Sequence, residues 1–206
     1  MRRIYAATGA AAIVAAGAAA VWFLVLPAPD DRFAGCRQGA VAGGEAMIGG
    51  PFTLVDQTGR TVTDAEVVTR PSLIYFGYTY CPDVCPLDTA RNAEAVEILE
   101  EMGKIVTPVF ISIDPKRDTP EVLAEFAANL HPRMIALTGS QTQIDAASKA
   151  YRTFYRVQDG DPDYYLIDHT TFTYLVLPGH GFVEFFRRDA GPEEIARRVA
   201  CFVDAS

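Results

Sequence analysis

Hydrophobic and polar positions divide this chain into a long unbroken apolar run, Ile4 to Leu26, and a patterned remainder. In the remainder, Phe52-Thr53-Leu54-Val55 and Arg60-Thr61-Val62-Thr63 flank Thr58-Gly59, which predicts a hairpin. Leu73 to Tyr78 is continuously apolar and predicts a buried strand. From Pro86 to Met102, Ala93, Val96 and Leu99 share one side while Glu94, Glu97 and Glu101 fall elsewhere, a helix stopped by Gly103. Ile105 to Ile113 predicts a second buried strand. Thr119 offers an N-cap with Pro120 at the first helical position, and Val122, Leu123, Phe126, Ala127 and Leu130 form an amphipathic stripe. Met134 to Leu137 predicts a short strand, and Ser140 with Gln143 a capping box for a helix reaching Tyr155. Tyr164 to Ile167, Thr170 to Leu177 and Phe182 to Phe186 read as strands, the latter two joined around Pro178-Gly179-His180-Gly181. Gly191-Pro192 opens a last helix. Strand–helix–strand alternation makes the early strands parallel and the late hairpin adds antiparallel ones, so the expected class is α/β with a mixed sheet.

The run from Ile4 to Leu26 is 23 residues without a charge, about 35 Å of helix and long enough to span a bilayer. Arg2 and Arg3 precede it, and Pro27, Asp30 and Asp31 follow. The positive-inside rule makes residues 1–3 a cytoplasmic stub and residues 4–26 a transmembrane anchor, with everything later across the membrane. A cleaved signal peptide is the competing reading, but the run exceeds the usual apolar length of such segments. With only Met1 ahead of the arginines, a transit peptide is not expected, which points to a bacterial inner membrane and a periplasmic domain. Residues 27–49, rich in Gly and Ala, read as a tether, and residues 50–206 as one globular domain. Of the 18 Lys and Arg, Arg2 and Arg3 lie ahead of the anchor, leaving 16 against 26 Asp and Glu, a formal charge of −10. That balance argues against nucleic acid as a partner.

The chemistry concentrates in Cys81-Pro82-Asp83-Val84-Cys85-Pro86, where a strand of buried type runs into a helix. Proline biases the residue before it away from helical angles and suits a helix's first position. Cys81 and Cys85 are therefore placed in the turn, with Pro86 opening the helix and Cys85 near its N-cap. Helix N–H groups and the positive dipole end then favour thiolate at both sulfurs. Such a pair is a redox couple or a clamp for a soft metal, and a C-x-x-C-like element after the first strand of a βαβ unit reads as thioredoxin-like.

Gly50-Pro51-Phe52, the block from Leu73 to Pro86, Phe110-Ile111-Ser112-Ile113-Asp114-Pro115 with Arg117-Asp118-Thr119, Leu137-Thr138-Gly139 and Asp168-His169-Thr170 together resemble the Sco/SenC family. The resemblance covers roughly Gly49 to Ala200. It implies a membrane-anchored copper protein of thioredoxin-like fold, helices on both faces of its sheet, needed to assemble the dinuclear copper centre of cytochrome c oxidase. The expected partners are then the copper-site subunit of that oxidase and another periplasmic copper carrier. The family's metal site maps onto Cys81, Cys85 and His169. Two thiolates and an imidazole suit copper, sulfur holding Cu(I) and nitrogen helping with Cu(II), although zinc also accepts this set. The alternative reading is a thiol–disulfide oxidoreductase that keeps the oxidase subunit's copper-site cysteines reduced through a Cys81–Cys85 redox pair; whether the protein is an enzyme is left open.

The other histidines fit the site less well. His180 falls in a glycine-flanked turn, and His131 ends a helix, where an imidazole can satisfy terminal carbonyls. Asp114, at the end of a parallel strand, is expected to orient the cysteine loop without binding metal. Val157 to Tyr165, with Asp159, Asp161 and Asp163, reads as an acidic loop ahead of His169, and no methionine cluster is present. Cys36 and Cys201 lie outside the metal motif. In an oxidising compartment leftover cysteines commonly pair, so a Cys36–Cys201 bridge between tether and final helix is expected.

Overall fold

The structure, a computed structural model, describes residues 31–37, 48–161 and 164–206. The expected anchor, the stub before it and most of the tether lie outside the described residues, as do Pro162 and Asp163 of the acidic loop. Among the described residues no helix is long and apolar enough to cross a membrane. The chain divides into residues 1–34 and 35–206, and the second unit carries all the elements below.

Strands β1 (Thr53–Asp56) and β2 (Thr61–Thr63) form the expected hairpin, Leu54 opposite Val62. Asp56 closes its turn by accepting from the Thr58 and Arg60 N–H groups at 2.9 and 3.0 Å. A one-turn helix, α1 (Asp64–Val67), follows; Thr63 and Glu66 cap it reciprocally. Sequence periodicity cannot reveal so short an element.

Strands β3 (Ser72–Gly77) and β4 (Thr107–Ser112) pair in parallel, Ser72 opposite Thr107 and Gly77 opposite Ser112. Every residue of both is buried, as continuous apolar runs between two layers must be. Strand β5 (Ile135–Thr138) continues the parallel set beside β4 and pairs antiparallel with β1. On the other side, β8 (Thr173–Leu177) runs antiparallel to β3 and forms a hairpin with β9 (Gly181–Phe186). The full order is β2-β1-β5-β4-β3-β8-β9. A separate antiparallel ribbon joins β6 (Tyr155–Val157) to β7 (Ile167–His169), Tyr155 opposite His169.

Helices α2 (Val84–Glu101) and α5 (Pro192–Ala205) pack on each other. Helix α3 (Pro120–Leu130) starts as expected: Thr119 Oγ1 accepts from the Val122 N–H and Pro120 takes the first position. Its Leu123 and Ala127 join a core that includes Phe76, Phe110, Tyr174 and Val176, together with Ile144 and Ala147 of α4 (Gln141–Ala150). Ser140 and Gln143 form the capping box of α4. Leu175 and Leu177 alternate to the opposite sheet face, so helices cover both faces.

Several boundaries differ from the sequence reading: the strand expected over Tyr164 to Ile167 runs instead from Ile167 to His169, where it pairs with β6, and the strand expected from Thr170 begins at Thr173. Helix α4 stops at Ala150, not near Tyr155, because Arg152 adopts a left-handed φ of 53°. The released residues form β6, which the pattern assigned to helix and loop. Helix α2 begins at Val84 with Asp83 as N-cap, so Cys85 lies inside the first turn. Pro86 is tolerated one residue later still, since the first four N–H groups of a helix have no intrahelical partner.

Candidate metal centre

The site forms where β3 ends. Gly77 closes the strand, residues 78–83 make the loop, and α2 carries Cys85 back over the strand it left. Gly77 is required by proximity: a Cβ there would meet Tyr75 Cε1 at 2.8 Å, Phe110 Cε2 at 3.0 Å and Cys85 Sγ at 3.1 Å. The Cys85 N–H points at Cys81 Sγ, 3.4 Å away. From the far side, β8 sets the direction of the chain, and the β7 ribbon ahead of it delivers His169 with Nε2 3.2 Å from Cys85 Sγ. The ligating atoms of Cys81, Cys85 and His169 all lie within 4.8 Å of one another, the one such cluster among the described residues. Both cysteines are free and buried.

His169 is held as a ligand needs to be. Its Nδ1 lies 2.9 Å from the Thr170 carbonyl, so Nδ1 carries the proton and donates it there. Nε2 is left with a lone pair facing the sulfurs. The ring stands edge-on to Tyr75 and Tyr78, centroids 6.2 and 5.9 Å away, and the Tyr78 hydroxyl accepts the Ile167 N–H at 3.2 Å. Burial lowers the imidazole's pKa against the opposing pull of the Thr170 carbonyl and Asp88, keeping it neutral at physiological pH.

The two thiols are not equivalent, which corrects the expectation of thiolate at both. Burial works against ionisation of Cys81, but the backbone N–H groups of Asp83, Cys85 and Val84 outweigh it and hold this thiol below its ordinary value. Cys85 is deeper, 1% exposed against 8% for Cys81, and burial pushes its thiol up, with the neighbouring Cys81 adding to the shift. A helix N-terminus helps only the sulfur that its N–H groups face.

The cysteine loop is tied down from β4, by a different aspartate from the one expected. Asp118 is fully buried; it accepts the Thr79 N–H at 3.1 Å, the Thr79 hydroxyl at 2.5 Å and the Ser112 hydroxyl at 2.5 Å. Asp114 instead pairs with Arg117 and accepts the Tyr165 hydroxyl at 2.6 Å. It thereby orients the segment ahead of His169. Arg117 completes that arrangement, donating to the Tyr165 carbonyl at 3.0 Å with its guanidinium 3.6 Å from the Tyr165 ring centroid and 4.9 Å from that of Tyr80. The signal for Asp118 was its place in Arg117-Asp118-Thr119, beside a strand end already marked as functional.

The remaining histidines stand apart from the cluster. His131 is the C-cap residue of α3, yet it serves the backbone differently than expected: Nδ1 accepts the Arg133 N–H at 3.1 Å and Nε2 faces Glu100 at 3.2 Å. His180 lies in the β8–β9 turn. Cys36 and Cys201 form a disulfide, Cα atoms 5.7 Å apart, closing a loop of 165 residues in sequence separation.

Comparison with known proteins places this geometry in context. A family model described as SCO1/SenC matches residues 40–204. Protein SenC of Rhodobacter capsulatus is 56% identical over 201 residues, covering 97% of this chain and 89% of that protein. The crystal structure of Arabidopsis thaliana ScoI with copper bound superposes with a TM-score of 0.73 at 35% identity, covering 76% of this chain and 99% of that one. The structure of Bradyrhizobium japonicum ScoI with copper bound gives 0.67 at 36% identity, covering 74% and 98%.

Proposed function

The chain belongs to the SCO1/SenC family, and from that premise we propose that it is a copper-binding protein that serves cytochrome c oxidase assembly. The observation that carries this reading is the convergence of two free thiols and one imidazole nitrogen within 4.8 Å. Cys81, Cys85 and His169 would hold the ion, and the set fits copper: sulfur favours Cu(I), and a neutral Nε2 accommodates Cu(II). Three protein ligands leave a position for an acceptor's group, which a transfer protein needs. The protein acts as a metallochaperone delivering copper to the oxidase subunit that carries the dinuclear centre, and receives it from another periplasmic carrier.

Titrating the reduced domain with Cu(I) and Cu(II) tests this. One equivalent should bind; Cys81→Ser or Cys85→Ser should abolish tight binding, and His169→Ala should weaken Cu(II) more than Cu(I). Full stoichiometry in a variant lacking both cysteines would overturn the assignment.

A second reading, thiol–disulfide oxidoreductase, is favoured by one observation: an acidic outer thiol beside a buried, less acidic one. That asymmetry suits attack by Cys81 on a partner's disulfide and resolution by Cys85. Such an activity would survive His169→Ala, whereas copper delivery would not.

For location, the support is the uncharged run from Ile4 to Leu26 behind Arg2 and Arg3. It favours a single-pass anchor in a bacterial inner membrane with the copper domain in the periplasm. A reporter active only outside the cytoplasm, fused after Pro27, should give signal in the membrane fraction. A soluble mature form beginning between Ala15 and Ala28 would show a cleaved signal instead.

A further inference from the structure

Helix α2 buries a polar stripe. Cys85, Asp88, Thr89 and Asn92 stand at positions i, i+3, i+4 and i+7 of one helix face, and each is 3% exposed or less. A helix held only by apolar contacts can slide or rotate slightly on its sheet, whereas hydrogen bonds between buried groups are directional. The stripe ends on Thr173 of β8, a residue with no exposed surface. Its Oγ1 accepts from Asn92 Nδ2 at 2.9 Å and from Arg91 Nη2 at 3.1 Å, and donates to Asn92 Oδ1 at 3.1 Å. Arg91 Nη1 donates to the carbonyls of Arg187 and Arg188, just past β9, at 3.3 and 3.0 Å. Asn92 lies two helical turns beyond Cys85, and Thr173 four residues beyond His169. One buried contact therefore joins the two chain segments that carry the sulfur and the imidazole.

We propose that Asn92 and Thr173 are positioning residues for the metal centre: their buried hydrogen bond sets the register of α2 on β8 and, through it, where Cys85 Sγ stands against His169 Nε2. The inference rests on the copper-binding reading above. Val96 and Leu99, buried on the same helix, supply adhesion; the amide and hydroxyl supply direction. Replacing both partners of a buried hydrogen bond by apolar groups of similar shape is nearly neutral for stability. Register and stability therefore separate in the double variant Asn92→Leu with Thr173→Val. Arg91 keeps Asp88 and the two carbonyls there, so no new charge is stranded. Two thiolates satisfy Cu(I), while Cu(II) draws on the imidazole as well. Displacing Cys85 from His169 thus costs Cu(II) binding more.

Two measurements on the double variant test this. In the metal-free reduced domain, the nuclear Overhauser contact between the Cys85 β-protons and the His169 ring should weaken. On titration, Cu(II) affinity should fall by about 10–100-fold, the usual cost of disturbing the groups behind a metal ligand, and Cu(I) affinity by less. The urea midpoint should stay near that of wild type. Thr173→Ser, which keeps the hydroxyl, should retain both the contact and the Cu(II) affinity. A merely stabilising pair predicts instead that contact and affinity return wherever stability does. A folded double variant with the wild-type contact and Cu(II) affinity therefore overturns the proposal. If the double variant does not fold, Thr173→Ser decides: retained contact and Cu(II) affinity support the hydroxyl's role, and loss of either overturns it. Failure of the wild-type domain to bind copper would refute the underlying reading, while the Overhauser contact in the metal-free domain still tests the register, so the two failures are distinguishable.

Discussion

The Cys85 sulfur lies 3.2 Å from His169 Nε2, although 84 positions separate the two residues in sequence. With Nδ1 given to the Thr170 carbonyl, that contact is a thiol donating to imidazole nitrogen. A metal ion that takes the place of this proton finds the sulfur and the nitrogen already facing each other, so little reorganisation is needed on binding.

The unequal thiols predict unequal chemistry. In the metal-free reduced domain, Cys81 should be alkylated first. Its rate should rise with pH about a midpoint below the roughly 8.5 of free cysteine. Cys85, buried and held protonated, should react slowly through the same range. Mass spectrometry of partially alkylated protein checks this, and equal labelling of the two would refute it.

Asp118→Ala should leave the Thr79 N–H, the Thr79 hydroxyl and the Ser112 hydroxyl without their acceptor and lower stability, by about 1–3 kcal/mol for the buried Ser112 hydroxyl alone and by more with the half-buried Thr79 groups. Copper affinity should fall with it, as the loop before Cys81 loosens. Urea denaturation and metal titration read the two effects separately.

Asp118 also gives a pH dependence of defined sign. Burial raises its folded pKa above the ordinary carboxylate value. A raised folded value means that the native state binds the proton more readily than the unfolded chain does. The burial penalty is thus fully present at neutral pH and is relieved as pH falls through the folded pKa toward the unfolded one. Plotted against pH, stability of wild type minus that of Asp118→Asn should rise on acidification across that window. A difference that is flat or falls there would contradict the assignment.

Gly77→Ala should destabilise by about 1–3 kcal/mol, the usual cost of overpacking a filled core. The added carbon has only the Tyr75 and Phe110 rings and the Cys85 sulfur to displace, so copper binding should weaken as well. Thermal unfolding and metal titration of the variant are the measurements.

Replacing Cys36 and Cys201 together by serine should lower stability by about 2–5 kcal/mol, the range for loss of a native disulfide. Metal stoichiometry should be unchanged, since neither residue belongs to the metal cluster. Denaturant midpoints with and without reductant give the check.

Much of this arrangement is legible in the amino-acid sequence. Leu73 to Tyr78 and Ile105 to Ile113 read as buried parallel strands because both sheet faces are covered, which leaves an unbroken apolar run. Thr119-Pro120 and Ser140 through Gln143 carry their caps in local side-chain chemistry, so those helix starts were readable to the residue. The misses have physical causes. The end of α4 depends on Arg152 adopting a left-handed conformation with no glycine to announce it. Strand β6 exists only because β7 pairs with it, a tertiary fact that three residues cannot encode. Asp114 and Asp118 both follow β4 and both are buried, and composition alone cannot tell which carboxylate faces the cysteine loop. The difference between Cys81 and Cys85 is one of depth, which the sequence does not contain.

The bond between Cys36 and Cys201 also changes the mechanics and the covalent topology of the protein. Tension applied ahead of Cys36 passes through two sulfurs directly to the final helix, and none of the chain between the two cysteines can be drawn out while the bond holds. A protease that cuts one surface loop anywhere inside the ring opens it without releasing a piece. The nicked protein therefore remains one molecule, with every metal ligand still attached, until a reductant reaches that single bond.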